Sequence, residues 1–164
     1  MKRGITRRER EVTELQEIIG ILDRAKIVHV GMIDEDMPYV VPMNYGYTMA
    51  DGKLTLYLHG APRGRKIDVL RKNPRVFIEI DTDIVPFEGP AACQHGVCYS
   101  CVMGEGVAQL IEDVPGKIQG LKYLMKTQTG KDFDFVDKMV GGVTVIKIEV
   151  SEYTAKKRPM PKMQ

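Results

Sequence analysis

The stretch PYVVPMNYGYTMADGKLTLYLHGAPRGRK, residues 38–66, decides the fold, because it contains two strands, the turn between them and the start of a helix. Asp51-Gly52 is a two-residue sequence typical of tight β-hairpins. Pro38 and Pro42 lie in the first strand, and since proline has no N–H to donate, they predict a strand at a sheet edge or a bulge. The pattern therefore predicts an antiparallel hairpin whose first strand is exposed at one edge.

Further strands and helices are predicted on both sides of this hairpin. Apolar periodicity predicts strands at 26–34, 75–81, 97–113 and 143–150, which with the hairpin make about six. It predicts helices from about Val12 to Leu22, where Thr6 and Glu9 have capping-box spacing, and at 64–72, 115–127 and 133–140. Residues 83–96 read as a long loop, and Gly104 and Gly106 are expected to bend the strand that follows. Antiparallel hairpins with interspersed helices favour an open or closed β-barrel over a parallel sheet.

Length and composition indicate an ordinary soluble domain. The 164 residues are expected to form one domain, 1–164, and the net charge of +2 is too small to suggest a nucleic-acid partner. No apolar run is long enough to span a bilayer, and the N-terminal segment is amphipathic, unlike a signal peptide. The three cysteines do not form a disulfide framework, so a cytoplasmic location is expected.

The loop after the hairpin has the composition of an anion site. Gly60 and Gly64 are followed by Arg65 and Lys66 at the predicted start of a helix, where backbone N–H groups and the helix dipole favour negative charge. A Walker A loop fits poorly, because the second glycine is one place early and Ile67 replaces the hydroxyl residue. A Rossmann fingerprint is absent from the sequence as well. The alternative is an exposed basic loop in which the glycines only allow the chain to turn.

The strand before the hairpin suggests what the anion is attached to. Pro42, Met43 and Asn44 lie between tyrosines, and an amide side chain can both donate to and accept from a heterocycle. Asn44 alone also fits an ordinary turn residue. Taken with the anion loop, the segment predicts a pocket for a phosphorylated aromatic cofactor.

Three segments in order carry a family resemblance: PYVVPMNYGY, then LTLYLHGAPRGRKIDVLRKNPRV, then the strand from Cys93 to Ala108 with GEGVAQLIED. They resemble the pyridoxamine-5′-phosphate-oxidase-like FMN-binding split barrels, and within them the nitroimidazole-resistance (Nim-type) branch, from about Arg8 to Lys157. The resemblance implies a mostly β fold with peripheral helices, a six-stranded antiparallel split β-barrel. It also implies a homodimer with FMN at the subunit interface.

The resemblance also implies which residues bind the cofactor. Arg65 and Lys66 match the basic pair that binds the phosphate, and Gly64 lies in the same loop. The positions that match the wall of the flavin ring are Val41, Pro42, Met43 and Asn44, and those that match the segment along the ribityl chain and phosphate are His59, Gly60 and Ala61. Ser100 and Cys101 match positions that approach the flavin from the partner subunit. Met43 is expected at the ring itself. The anion of the loop is then the phosphate of FMN.

The implied function is an FMN-dependent reductase of a small oxidised acceptor, such as a nitroimidazole, another nitro compound or a quinone. The substrate-phosphate contacts and C-terminal motif of the vitamin B6 oxidases have no match here, which argues against pyridoxine-phosphate oxidation. The alternatives are a flavin-binding or electron-carrier protein without its own substrate, and a phosphate-sensing or haem-binding module on the same scaffold. Neither nucleic acid nor a membrane is an expected partner.

The remaining chemistry-bearing residues are histidines and cysteines. His59 directly precedes the anion loop and is the candidate catalytic residue, as a proton donor or relay. Cys93, His95, Cys98 and Cys101 have short metal-ligand spacing, but Cys98 and Cys101 would point to opposite faces of a strand because their separation is odd. The sequence therefore predicts no metal site, and it predicts buried thiols or a thiol near the flavin instead. His29 reads as a core or surface residue.

Overall fold

A computed structural model describes residues 5–161, and one antiparallel sheet of eight strands dominates that part of the chain. The strands are β1 Glu11–Val12, β2 Ile27–Asp34, β3 Met37–Asn44, β4 Gly46–Ala50, β5 Lys53–Gly60, β6 Arg75–Phe87, β7 Gly96–Ile111 and β8 Thr144–Arg158. Their order is β3-β2-β6-β7-β8-β5-β4, and β1 pairs with β8 outside this path. The mostly β split-barrel prediction is confirmed, with eight strands in place of six and a sheet that hydrogen bonds do not close.

The two additional strands have simple origins. Tyr45 interrupts the predicted second strand, which therefore counts as β3 and β4. The segment that was predicted to open the first helix is extended instead, because Val12 pairs with Ala155 of β8 and is buried there. The predicted capping box of Thr6 and Glu9 does not begin a long helix.

In the described part of the chain, four α-helices cover the sheet. They are α1 Leu15–Arg24, α2 Arg65–Lys72, α3 Val114–Thr129 and α4 Asp137–Val140, and short 3-10 turns lie at Arg8–Arg10 and Ala92–Gln94. The predicted helices at 64–72 and 115–127 are confirmed within a few residues. Asp113 fixes the start of α3, where its side chain accepts a 2.8 Å hydrogen bond from the backbone N–H of Gly116. Among residues 5–161, no helix is long and apolar enough to cross a membrane.

The predicted loop at 83–96 is shorter in the structure. Strand β6 continues to Phe87 through an irregularity between Thr82 and Val85, with Asp83 at a φ of 59°. Strand β7 begins at Gly96 and shifts its register against β8 between Glu105 and Gly106, close to the predicted bend. These irregularities allow long strands to curve without losing their partners.

The sheet curls into a split barrel because the strands at its two edges follow one another directly in the sequence. β3 and β4 lie at opposite ends of the strand order and are separated only by Tyr45. Tyr45 is fully buried, and its hydroxyl donates a 2.7 Å hydrogen bond to the carbonyl of Leu22 at the end of α1. Gln128 of α3 donates a 2.7 Å hydrogen bond to the Tyr45 carbonyl. The corner of the barrel is therefore attached to two helices.

The barrel interior is apolar. One side of each strand supplies it, as in β5, where Leu54, Leu56 and Leu58 are buried while Tyr57 and His59 point to the other side. Fully burying a Leu, Ile or Val side chain stabilises the fold by roughly 1.5–3 kcal/mol each. The core thus fixes which residues of each strand remain on the outer face.

Candidate functional site

A gap opens in the barrel wall between β3 and the end of β5, and we call this gap the seam, residues 38–44 and 58–60. Strand β4 ends its pairing at Gly46, opposite Tyr57, so the last residues of β5 extend beyond it. On their other side, His59 and Gly60 pair with Val145 and Thr144 of β8. One backbone edge of this segment therefore faces β3 across the seam.

Lys66 folds back onto Gly60 across the loop that joins β5 to α2. A Cβ built on Gly60 would lie 2.9 Å from Cε and 3.2 Å from Nζ of Lys66, so the ammonium group sits where a side chain would otherwise be. Lys66 is in the first turn of α2, whose N-terminal N–H groups also favour an anion. The predicted combination of glycine, cation and helix start is therefore brought together in space.

Gly64 provides the turn into α2. Its φ of 130° and ψ of 168° lie in a region that is almost reserved for glycine. Its carbonyl accepts hydrogen bonds from the N–H groups of Ile67 and Asp68, at 2.9 and 3.2 Å. The backbone N–H groups of Arg65 and Lys66 are the first two of α2, and such groups have no carbonyl partner within the helix.

Arg65 is held in place by two contacts from neighbouring strands. Its Nε donates a 2.7 Å hydrogen bond to Asp34 Oδ2, and its guanidinium carbon lies 4.2 Å from the centre of the Tyr39 ring. Nε donates this hydrogen bond, so the two terminal nitrogens of the guanidinium take no part in it. Because its side chain remains 60% exposed, the guanidinium can meet an anion from solvent.

Strand β3 offers a polar and partly exposed wall. Pro42 and Asn44 are exposed and Val41 is half-buried, as a ligand-contacting strand requires. Met43 is different, because its side chain is 9% exposed and packs in the core opposite Val28. The expectation that the Met43 side chain lies at a ring does not match this orientation, since only its backbone borders the seam.

His59 carries an unsatisfied polar atom. Its Nδ1 is buried and has no hydrogen-bond partner among residues 5–161. A buried polar atom without a partner costs roughly 1–3 kcal/mol, so such atoms commonly await a ligand or water. His59 adjoins Gly60, and Ala61 beyond it is exposed. This orphaned nitrogen, one residue before Gly60, fits a ligand with polar groups.

Ser100 and Cys101 lie elsewhere in the chain. Both are on β7, which β2 and β6 separate from β3 and β8 separates from β5. Ser100 is 1% exposed and its hydroxyl makes no hydrogen bond of ordinary geometry within 5–161, although it is near enough to Asp83 to help lower that carboxyl's pKa. Burial raises the pKa of the Cys101 thiol. One copy of the chain does not bring these two residues to the seam.

The cysteine-histidine segment does not assemble as a metal-ligand group. Cys93 is exposed on a 3-10 turn, whereas Cys98 and Cys101 are buried. The Cys98 thiol lies 3.8 Å from the sulfur of Met160. Within the described range 5–161, the donor atoms of Cys93, His95, Cys98 and Cys101 do not form a three-member group of metal-binding dimensions.

A different polar group on the outer face was missed by sequence reasoning. His29 of β2 pairs directly with Glu79 of β6, and Asp81 follows on the same face of β6. The alternation in IEID could have suggested that Glu79 and Asp81 share a face. Nothing in the sequence fixed the register that sets His29 opposite them.

Comparison with known proteins shows the family. Residues 14–157 match the family model described as pyridoxamine 5′-phosphate oxidase. A crystal structure of a candidate 5-nitroimidazole antibiotic resistance protein from Bacteroides thetaiotaomicron is 34% identical and has a TM-score of 0.76, covering 90% of this chain and 86% of that one. No match was found among curated proteins.

More distant structures share the fold. The flavocytochrome Anf3 from Azotobacter vinelandii is 20% identical with a TM-score of 0.76, covering 98% of this chain and 75% of that one. An FAD and haem binding protein from Mycobacterium smegmatis is 14% identical with the same TM-score of 0.76, covering 94% and 77%. At these identities the similarity extends to the architecture alone.

Proposed function

Since the chain belongs to the pyridoxamine 5′-phosphate oxidase family, we propose that it binds FMN at the seam and uses the bound flavin to reduce a small oxidised acceptor, such as a nitroimidazole or another nitro compound. The observation that carries the proposal is the Lys66 ammonium folded over Gly60 at the start of α2. A positively charged side chain beside the N–H groups at a helix N-terminus is an arrangement that favours phosphate binding.

The proposal assigns roles to residues of the seam and of the loop and helix start that follow β5. Arg65 and Lys66 bind the phosphate, and the backbones of Gly60, Ala61 and Gly64 allow it to approach closely. The exposed side of β3 borders the flavin ring through Val41, Pro42, Asn44 and the backbone of Met43. Asp34 and Tyr39 orient Arg65, so less conformational entropy is lost when the ligand binds.

The redox chemistry is that of the flavin, which accepts hydride or electrons and passes them on. The chain supplies binding, orientation and a proton. His59 presents an unpartnered Nδ1 at the end of β5 and is the proposed proton donor to the acceptor. Tyr45 and Tyr47 are less suited to donate this proton, because burial raises the pKa of both hydroxyls.

We further propose that the functional unit is a homodimer with the flavin between the subunits. Ser100 and Cys101 match flavin-approaching positions of the family but lie several strands from the seam of their own chain. A second copy is the simplest way to bring them near. Light scattering on flavin-saturated protein should give twice the chain mass, and a saturated monomer would refute this part.

The first experiment identifies the cofactor. Freshly purified protein is expected to be yellow with flavin absorbance bands, and mass analysis of the released cofactor should return FMN. FAD in its place would keep a flavoprotein but refute the FMN assignment. A Soret band without flavin would favour a haem-binding module instead, a cofactor class borne by two of the more distant structures.

The second experiment separates an enzyme from a carrier. The bound flavin is reduced chemically without oxygen, 2-nitroimidazole is added, and flavin reoxidation is followed by absorbance. Reoxidation faster than that of unbound reduced FMN supports the reductase. Equal rates would mean that the protein carries or stores flavin, and the reductase proposal would fail while the binding proposal stands.

A further inference from the structure

The outer face of the sheet carries a compact group of donor atoms that adjoins the seam, since His29 is the cross-strand partner of Pro42. His29, Glu79 and Asp81 each offer one ligand atom, and these three atoms lie within 4.8 Å of one another. They come from β2 and β6, which are paired over His29, Val30 and Gly31. Donors on paired strands are held more precisely than donors on loops.

One pair in the group already shares a hydrogen bond. His29 Nδ1 and Glu79 Oε2 are 3.0 Å apart, with side chains 42% and 34% exposed. A metal ion bound at about 2.0–2.2 Å from both atoms would separate them by a similar distance. The geometry of this pair thus needs little change to accept an ion.

Asp81 adds charge that the chain does not balance. Its carboxylate is half-buried and has no hydrogen-bond or ion-pair partner among residues 5–161. It lies two residues from Glu79 on the same strand face, where burial raises the pKa of Glu79 and the negative charge of Asp81 adds to that rise. Two carboxylates side by side with one imidazole leave an excess of negative charge that a divalent cation would offset.

The neighbouring groups define the surroundings of the cluster. Cys101 is the cross-strand partner of Asp81 on β7, and Lys156 is the next residue across on β8. Burial is the main reason that the pKa of the Cys101 thiol is raised; the charges of Glu79 and Asp81 add to this rise, and that of Lys156 opposes it. Lys156 is not a ligand, but its charge only partly compensates that of Glu79 and Asp81.

We propose that His29, Glu79 and Asp81 form a binding site for one divalent first-row transition ion, with water in the remaining positions. One imidazole nitrogen and two carboxylate oxygens suit Zn²⁺, Co²⁺ or Mn²⁺, whereas Mg²⁺ and Ca²⁺ prefer oxygen ligands alone. The site lies on β2 and β6, next to Pro42 of the seam, and all three protein ligands come from one chain.

The test uses the whole chain after treatment with a chelator, and it titrates Co²⁺ and Zn²⁺ by calorimetry and visible absorbance. One equivalent of ion per chain is expected. His29→Ala and Asp81→Asn should each weaken binding at least about tenfold, since even outer partners of a metal ligand cost 10–100-fold when removed. Asp81→Asn keeps the side-chain shape, and thermal melting in chelator should show the fold unchanged.

Matched variants locate the ion. His95→Ala removes an exposed histidine beside the cysteines, and Asp36→Asn removes an exposed carboxylate in the β2–β3 turn. Both should bind Co²⁺ as the parent does. The proposal is overturned if His95→Ala or Cys98→Ser abolishes binding, if Mg²⁺ binds as tightly as Co²⁺, or if no stoichiometric ion binds at all.

Discussion

Lys66 and Gly60 touch across the loop that joins β5 to α2, and the absence of a side chain on one makes room for the ammonium of the other. A methyl group on Gly60 would meet the far end of a flexible side chain, so the lysine would move and the backbone would not. The contact can therefore be tested from either residue.

Gly60→Ala should weaken FMN binding without destabilising the protein. Displacing the ammonium forfeits part of the roughly 1.5–3 kcal/mol that a charge-assisted hydrogen bond contributes. Unfolding in urea should be unchanged or slightly harder, since Ala is favoured over Gly within a strand. Gly142→Ala is the control, because a Cβ there meets nothing within 4 Å. Equal FMN affinity of both variants and the parent would contradict the role of Lys66.

Lys66→Ala should weaken FMN binding by roughly 1.5–3 kcal/mol if the ammonium binds the phosphate. Riboflavin lacks the phosphate, so it should bind the variant and the parent about equally. Both affinities are measured by fluorescence quenching of the flavin. An equal loss for the two ligands would show that Lys66 acts through the fold.

His59→Ala should keep the yellow colour and reduce acceptor turnover by at least about tenfold, a floor beneath the 10²–10⁴-fold typical of a placed proton donor. The anaerobic reoxidation assay with 2-nitroimidazole measures this. His95→Ala, which alters an exposed histidine on the far segment, should match the parent. Unaltered turnover in His59→Ala would remove the proton role and leave the reductase proposal intact.

Gly64→Ala should lower the free energy of unfolding by about 1–3 kcal/mol, because its φ of 130° and ψ of 168° suit only glycine. Gly141→Ala is the matched control, since Gly141 has φ −62° and ψ −33° and a Cβ there meets nothing within 4 Å. Urea denaturation compares the two. A loss of equal size in both variants would indicate that strain at Gly64 is not the cause.

Asp83 should contribute a small stability increment that acid removes. Its carboxylate accepts hydrogen bonds from Arg24 Nε and Nη2 at 2.9 and 2.8 Å, and this pairing lowers the pKa of Asp83. A lowered folded-state pKa gives stability that is present above the unfolded value of about 3.9 and is lost as pH falls through the folded value. Because both side chains are partly exposed, the increment should stay within about 1 kcal/mol.

Asp83→Asn tests this pair while keeping a residue that tolerates the φ of 59° at this position. The parent should be the more stable protein at pH 7, and the difference should shrink as the pH falls below about 4. Urea denaturation at several pH values checks it. A difference that stays constant down to pH 2 would exclude the carboxylate as its source.

Local sequence signals predicted the hairpin at Asp51-Gly52, helix α2 and the basic pair at its start, because each depends on residues close together in the chain. The division at Tyr45 was not predictable, since it reflects the distant contacts of that residue with Leu22 and Gln128. The inward orientation of the Met43 side chain was not predicted for a related reason, because alternation alone does not say which face of an edge strand turns inward.

Long-range register accounts for the other omission. His29 is 50 positions from Glu79 along the chain, and only the pairing of β2 with β6 brings it next to Glu79 and Asp81. A one-residue slip would turn His29 into the core and disperse the group. Sequence periodicity sets faces within a strand but not the partner residue opposite.

The two prolines of β3 have a consequence for solubility. A sheet edge left open for a ligand is also a template on which strands of other molecules can add, the first step of aggregation. Pro38 and Pro42 lack the N–H groups that such addition requires. A protein that keeps its seam open can therefore remain dispersed while the seam is empty, and the prolines that mark the strand in the sequence protect the unliganded molecule from its own copies.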